Sequence, residues 1–166
     1  MIPASFRHVL LGLSILTGVS GAGPADSPAA VFDRYVAAVH AGDMAAVRAL
    51  ISPDVERSDF VGCRPDMDNP ACLAHYIEAT VVRPQARLTV VDLQLDGDTV
   101  TAALEVRSPL YTKAGAERIV GKDIVRVRSG LIQGFRFVPD FSDEPTAVFF
   151  GSLGIGPRAK RSPVKP

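Results

Sequence analysis

A tyrosine and two aspartates stand where the apolar patterns of the sequence turn side chains inward. Tyr35 lies on the apolar stripe of a predicted helix, and Asp59 shares a predicted strand face with two valines. Asp123 alternates with aliphatic residues along the segment 117–129. Burying an ionisable group costs on the order of several kcal/mol unless the group is hydrogen-bonded or used, so these three are candidates for functional residues. The alternative is a tyrosine hydroxyl and carboxyl groups that are satisfied within the core.

Helical and strand periods divide the chain into two parts. Three segments carry apolar residues at helical spacing after a capping residue or a proline: 28–41, 44–51 and 69–83. A short strand is predicted over 55–61, and four longer ones follow the change of period at residue 86: 86–95, 98–110, 117–129 and 131–141. Asp96-Gly97 is a hairpin signal between the first two of them. Helices followed by an antiparallel meander predict one α+β domain over 27–150.

Several stretches of the sequence resemble one known family. These are RYVAA from residue 34, AGDM from 41, DFVG from 59 and RIVGKDIVRVRSGLI from 118. Over residues 28–142 the chain is similar to the SnoaL-like branch of the nuclear transport factor 2 (NTF2) superfamily. The resemblance implies an NTF2-like (cystatin-like) cone, in which three N-terminal helices pack on a strongly bent, mostly antiparallel sheet with a deep apolar pocket at its open end.

Within that superfamily, the spacing from Tyr35 to Gly62 is most similar to that of the Δ5-3-ketosteroid isomerases. The resemblance implies that Tyr35 and a protonated Asp123 donate hydrogen bonds to a developing dienolate, while Asp59 is the general base. Such isomerases illustrate how an apolar site keeps a carboxylic acid neutral. The implied activity is a cofactor-independent isomerisation, or a lyase or hydrolase reaction of the SnoaL-like type.

Two classes of function follow from the resemblance. The first is a pocket that binds a small, mostly apolar molecule, with or without catalysis, because ligand pockets combine an apolar lining with a few convergent polar groups. The second is a non-catalytic interaction module that forms a homodimer or binds a partner through its open sheet face, for which the alternating strand from Val100 to Arg107 is suited. A cavity that reaches Tyr35, Asp59 and Asp123 together would favour the pocket.

The two ends of the chain predict export and a disordered tail. Arg7, the apolar run 9–19 and the small residues 20–22 have the arrangement of a signal peptide over residues 1–22. The apolar run is shorter than a membrane span requires, so we expect a secreted or periplasmic protein with no membrane attachment after cleavage. An uncleaved anchor is the alternative. The basic, proline-rich segment 156–166 predicts a disordered tail.

Charge and cysteine content limit the partners. With 18 basic and 18 acidic residues and no tryptophan, the chain has no basic field that would bind nucleic acid. Cys63 and Cys72 are predicted to form a disulfide in an oxidising compartment. A zinc site that adds His75 to the two cysteines is disfavoured, because it has three ligands and needs free thiolates. Neither a metal nor a cofactor is predicted.

Overall fold

The N-terminal helices begin at capping residues that the sequence provides. The computed structural model describes residues 26–56 and 62–156. Ser27 accepts a hydrogen bond from the Ala30 N–H at 3.3 Å and starts α1 (Pro28–Ala41), which ends at Gly42 with a left-handed φ of 69°. Two further helices, α2 (Met44–Leu50) and α3 (Asn69–Ile77), begin at aspartate caps. The three predicted helices are thereby confirmed.

A four-stranded antiparallel meander follows. Its strands are paired in chain order: β1 (Arg87–Asp96), β2 (Thr99–Arg107), β3 (Ile119–Arg128) and β4 (Leu131–Pro139). The pairing shifts at one bulge in β1 and at a second irregularity between β3 and β4. Bulges bend a strand and increase its twist, which curls the sheet around the helices. This is the predicted α+β architecture.

The inner face of the sheet follows the predicted alternation. On β3 the residues at odd positions from 119 to 127 are buried, so Asp123 lies on the inner face. The same face of β2 presents its even-numbered residues from 100 to 106, all of which are buried. These two rows pack against α1, whose Phe32 and Tyr35 are almost fully inaccessible to solvent. The core therefore lies between α1 and the middle strands, and it surrounds Asp123.

Gly121 leaves room for an aromatic ring beside Asp123. A Cβ atom at this position would lie 2.5 Å from the ring of Phe137 and 2.6 Å from the Val138 carbonyl oxygen. No side chain tolerates such approaches, so glycine at 121 lets β4 place Phe137 close to β3. The ring then contributes to the wall of the cavity described below.

Some predicted boundaries are wrong. The strand predicted over 98–110 ends at Arg107, because Ser108 caps a short helix, α4 (Pro109–Lys113). The third helix passes into a π-helix (Glu78–Val82) before the predicted end at residue 83. In the predicted strand 55–61 the first two residues are not in a strand, and residues 57–61 lie outside the described residues.

The C-terminal segment adds an element that the sequence analysis did not predict. A fifth helix, α5 (Glu144–Ser152), follows β4 and begins at Asp143, whose side chain accepts a hydrogen bond from the Thr146 N–H. The predicted signal peptide 1–22 and nearly all of the predicted tail 156–166 lie outside the described residues. No helix in the described part of the chain is both long and apolar enough to span a membrane.

Candidate functional site

A cavity of about 190 Å³ lies between the helices and the inner face of the sheet. Tyr35 from α1 and Asp123 from β3 both line it, as the sequence predicted. The rest of the lining is mostly aliphatic and aromatic and comes from all four strands, α3, the π-helix, α4 and the segment of α5. The structure therefore brings two of the three candidate residues to one mostly apolar cavity.

Asp123 is the buried carboxyl group of this cavity. It is 3 % exposed, and among the described residues its carboxyl has no hydrogen-bond partner. Burial raises the pKa of Asp123 to about 8, because the charged form loses its hydration in apolar surroundings. At neutral pH the side chain is consequently a protonated acid, which can donate a hydrogen bond to a molecule in the cavity.

Tyr35 is the second polar group. Its ring is held by edge contacts with Phe135 at a centroid distance of 5.6 Å and by a tilted contact with Phe32 at 5.9 Å. Burial raises the pKa of the Tyr35 hydroxyl well above its usual value, and the nearby Asp123 and Tyr76 raise it further. The hydroxyl therefore stays protonated. Since its ring is fixed by packing, it is oriented before any ligand arrives.

Asp59, the predicted general base, lies outside the described residues. Its predicted role stays a prediction. Residue 56 and residue 62 are the nearest described positions on either side of it.

Two further tyrosines line the cavity. Tyr76 lies on α3, and burial raises the pKa of its hydroxyl as well. Tyr111 on α4 was missed, and burial raises its pKa to about 12. The sequence does contain a signal for α4, since Ser108-Pro109 is a capping residue followed by a proline. The alternating pattern of the preceding strand led to the prediction of a strand up to residue 110, which overlaps the start of α4.

The π-helix also contributes to the lining, through Ala79, Thr80 and Val81. The Thr80 hydroxyl donates to the Tyr76 carbonyl oxygen at 2.8 Å, so its own polar atom is satisfied within the helix. π-Helical turns are rare in proteins, and those that occur are often found at functional sites. Here the wider turn lies directly after Tyr76, at the wall of the cavity.

Outside the cavity, the predicted disulfide is present. Cys63 in the loop before α3 is joined to Cys72 in the first turn of α3, with a Cα–Cα distance of 5.2 Å. Both thiols are thus unavailable as zinc ligands. Over residues 26–56 and 62–156, no three His, Cys, Asp or Glu side chains are grouped so that they could hold a metal ion.

The curled antiparallel sheet wrapped over helices, with a cavity between the two, defines an NTF2-like (cystatin-like) α+β protein. Residues 32–135 match the family model of the SnoaL-like domain. The chain belongs to this family. A sequence comparison with curated proteins finds no match.

Solved structures share the fold at low sequence identity. A Δ5-3-ketosteroid isomerase from Mycobacterium sp. is 21% identical with a TM-score of 0.52, over 70% of this chain and 95% of that one. A protein of unknown function with a cystatin-like fold from Xanthomonas campestris is 20% identical with a TM-score of 0.54, over 75% and 97%. A Mycobacterium tuberculosis protein in complex with estradiol-17β-hemisuccinate is 19% identical with a TM-score of 0.52, over 67% and 92%.

Proposed function

We propose that this protein binds a small, neutral, mostly apolar molecule in the cavity, with a hydrogen-bond acceptor of the ligand directed at Tyr35 and Asp123. The observation that carries the proposal is the position of these two buried donors in a mostly apolar lining, in which Tyr76, Tyr111 and Thr80 are the other residues with hydroxyl groups. Apolar walls with a few convergent polar groups are typical of ligand pockets. The structural neighbour that holds an estradiol derivative supports only the mostly apolar character of the ligand.

The electrostatics of the cavity favour a neutral ligand. Among the described residues that line it there is no lysine, arginine or histidine that could neutralise an anion. Asp123 keeps its proton at neutral pH and so supplies no charge to attract a cation. A carbonyl group matches the site, because it accepts two hydrogen bonds and carries no charge.

Tyr35→Phe tests this proposal, because it removes the hydroxyl donor and keeps the packed aromatic ring. With 1-indanone as the probe, we expect the dissociation constant to rise about 3- to 10-fold, because a net hydrogen bond contributes roughly 0.5–1.5 kcal/mol. The matched ligand is indane, which has the same rings without the carbonyl and should bind both proteins equally. Isothermal titration calorimetry measures all four affinities.

The outcomes of that titration are distinct. A selective loss of 1-indanone binding supports Tyr35 as a ligand donor. If the wild type binds neither 1-indanone nor indane, or if Tyr35→Phe weakens both ligands to the same extent, the proposed pocket chemistry is overturned.

We propose in addition that the cavity supports isomerisation by proton transfer. The observation in favour is that a neutral Asp123 and Tyr35 line the same cavity, where both can donate hydrogen bonds to a developing oxyanion. In this proposal Asp59 takes a proton from the carbon next to a carbonyl and returns it to the γ carbon. The donors stabilise the dienolate in between, and the reaction requires no cofactor.

Export is also part of the proposal. The signal-like arrangement of residues 1–22 supports it, as does the disulfide between Cys63 and Cys72, which is typical of oxidising compartments. Expression with the native N-terminus in a secreting host should yield a mature protein that begins at Gly23, within two residues. Intact-mass measurement determines the start, and an unprocessed chain that stays in the cytoplasm would contradict export.

The alternative function, an interaction module, stays a prediction. The outward residues of β2 are partly covered, whereas Val91 in the β1 bulge and Val138 on β4 are among the exposed large apolar side chains. This outer face and the cavity lie on opposite sides of the sheet. A dimer through the outer face would thus leave the cavity intact.

A further inference from the structure

The fifth helix lies against the cavity. Phe149, Phe150 and, just after the helix, Leu153 line it from α5. Phe149 is buried, whereas Leu153 is 57% exposed. Phe149 thus faces the cavity, and Leu153 lies where the cavity meets solvent. Helix α5 therefore forms the boundary between the cavity and solvent.

Two polar contacts fix the start of α5 on the strand that carries Asp123. Arg118, just before β3, donates to the Asp143 carboxylate at 2.9 Å. The buried Thr146 hydroxyl accepts a hydrogen bond from the Val120 N–H at 2.8 Å and donates to Asp143 at 2.7 Å. The position of α5 relative to Asp123 is therefore set by direct bonds.

Aromatic contacts close the other side of the helix. The Phe149 ring lies edge-on to Tyr111 of α4 with a centroid distance of 4.7 Å. Phe150 stacks on Phe137 of β4 at 6.2 Å. The helix thus joins α4 to β4 across the cavity, and its two phenylalanines occupy space that would otherwise be continuous with the pocket.

The helix lies beyond the part of the chain that matches the family. The SnoaL-like domain matches residues 32–135, and α5 begins at residue 144. The part of the cavity wall that α5 supplies consequently comes from the segment that follows the family match in this chain.

We propose that α5 limits the ligand to one or two rings, so that the ligand class is a small mono- or bicyclic carbonyl compound rather than a steroid-sized one. This inference rests on the proposed function. A cavity of roughly 150 Å³ holds one benzene, and pockets for drug-sized ligands have about 300–1,000 Å³. At about 190 Å³ this cavity is closer in size to the one that holds a benzene than to a pocket for a drug-sized ligand.

Two ligands with the same reactive group and different lengths test the limit. Bicyclic 1-indanone and tetracyclic androst-4-ene-3,17-dione both present a ketone, and the larger one would bind more tightly if both fitted, because it buries more apolar surface. For the wild type we expect the reverse order, with the steroid bound at least about tenfold more weakly, a free-energy difference of roughly 1.4 kcal/mol.

Phe150→Ala and Leu153→Ala are expected to shift that preference toward the steroid, the former by at least about tenfold. Val148→Ala is the matched control, since Val148 lies on the same helix, is 48% exposed and does not line the cavity. It should leave the ratio of the two affinities unchanged. Because Leu153 is largely exposed, its truncation keeps the test valid even where Phe150→Ala fails to fold.

Tighter steroid binding by the wild type would overturn the size limit while leaving the proposed pocket standing. The same conclusion follows if neither variant changes the ratio or if Val148→Ala changes it equally. A wild type that binds neither ketone overturns the proposed function itself, and the size limit with it.

Discussion

Replacing Asp123 by asparagine is expected to stabilise the protein at neutral pH by up to about 4 kcal/mol. The carboxyl has a pKa of about 8 in the folded protein and an ordinary value of 3.8 when exposed. Well below pH 3.8 both states are protonated. As the pH rises toward 8 the unfolded chain loses the proton and the folded one keeps it, so unfolding becomes more favourable by roughly 1.36 kcal/mol per pH unit. The asparagine side chain does not titrate, so the unfolding free energy of the variant does not decrease in this way as the pH rises.

Urea denaturation at pH 3.5 and pH 7 measures the effect as the difference in unfolding free energy between variant and wild type. The difference should grow between the two pH values. Asp96→Asn is the control, because Asp96 is exposed at the end of β1, where it pairs with Thr99 beside the hairpin turn. If the Asp123→Asn difference is the same at both pH values, the carboxyl titrates normally and is not the neutral donor described above.

Such a stability cost is informative about function. A buried carboxyl without a hydrogen-bond partner among the described residues destabilises the fold at neutral pH and contributes no packing that an aliphatic residue could not supply. Residues that lower stability in this way are concentrated at binding and catalytic sites. Asp123 is thus better explained by its position at the cavity than by any role in folding.

The parts of the site that lie within long, regular elements were predictable from the sequence. Asp123 was placed on the inner face because β3 has ten residues, enough for alternation to define two faces. Tyr35 was placed by the stripe of a helix of fourteen residues. In both cases a side chain's direction follows from its position in a repeating pattern, and the structure confirms it.

The missing parts belong to elements without a clear apolar stripe. Helix α4 has five residues, too few to reveal a period, and the apolar residues of α5 are not arranged along one face. Their capping signals, Ser108-Pro109 and Asp143-Glu144-Pro145, were present but stood beside stronger strand patterns. That Phe149 and Tyr111 meet over the cavity depends on the curl of the sheet, which brings together elements distant in sequence.

Asp59→Asn is expected to abolish most isomerase activity. With 3-cyclohexen-1-one, a substrate small enough for the cavity, the wild type should form the conjugated 2-cyclohexen-1-one, which ultraviolet absorbance detects. Because a positioned general base contributes about 10²- to 10⁴-fold, the variant's kcat/KM should fall by that factor. Asp54→Asn, which replaces an exposed aspartate five residues before Asp59 in the sequence, is the control and should retain full activity.

The pH profile separates catalysis by this site from a structural effect of the substitution. Wild-type kcat/KM should fall as the pH rises through about 8, because an ionised Asp123 can neither donate to the dienolate nor tolerate its charge. Tyr35→Phe should lower kcat/KM by about 10²- to 10³-fold, as expected for the loss of one oxyanion donor. An inactive wild type, or equal rates for wild type and Asp59→Asn, would show that the cavity binds its ligand without transforming it.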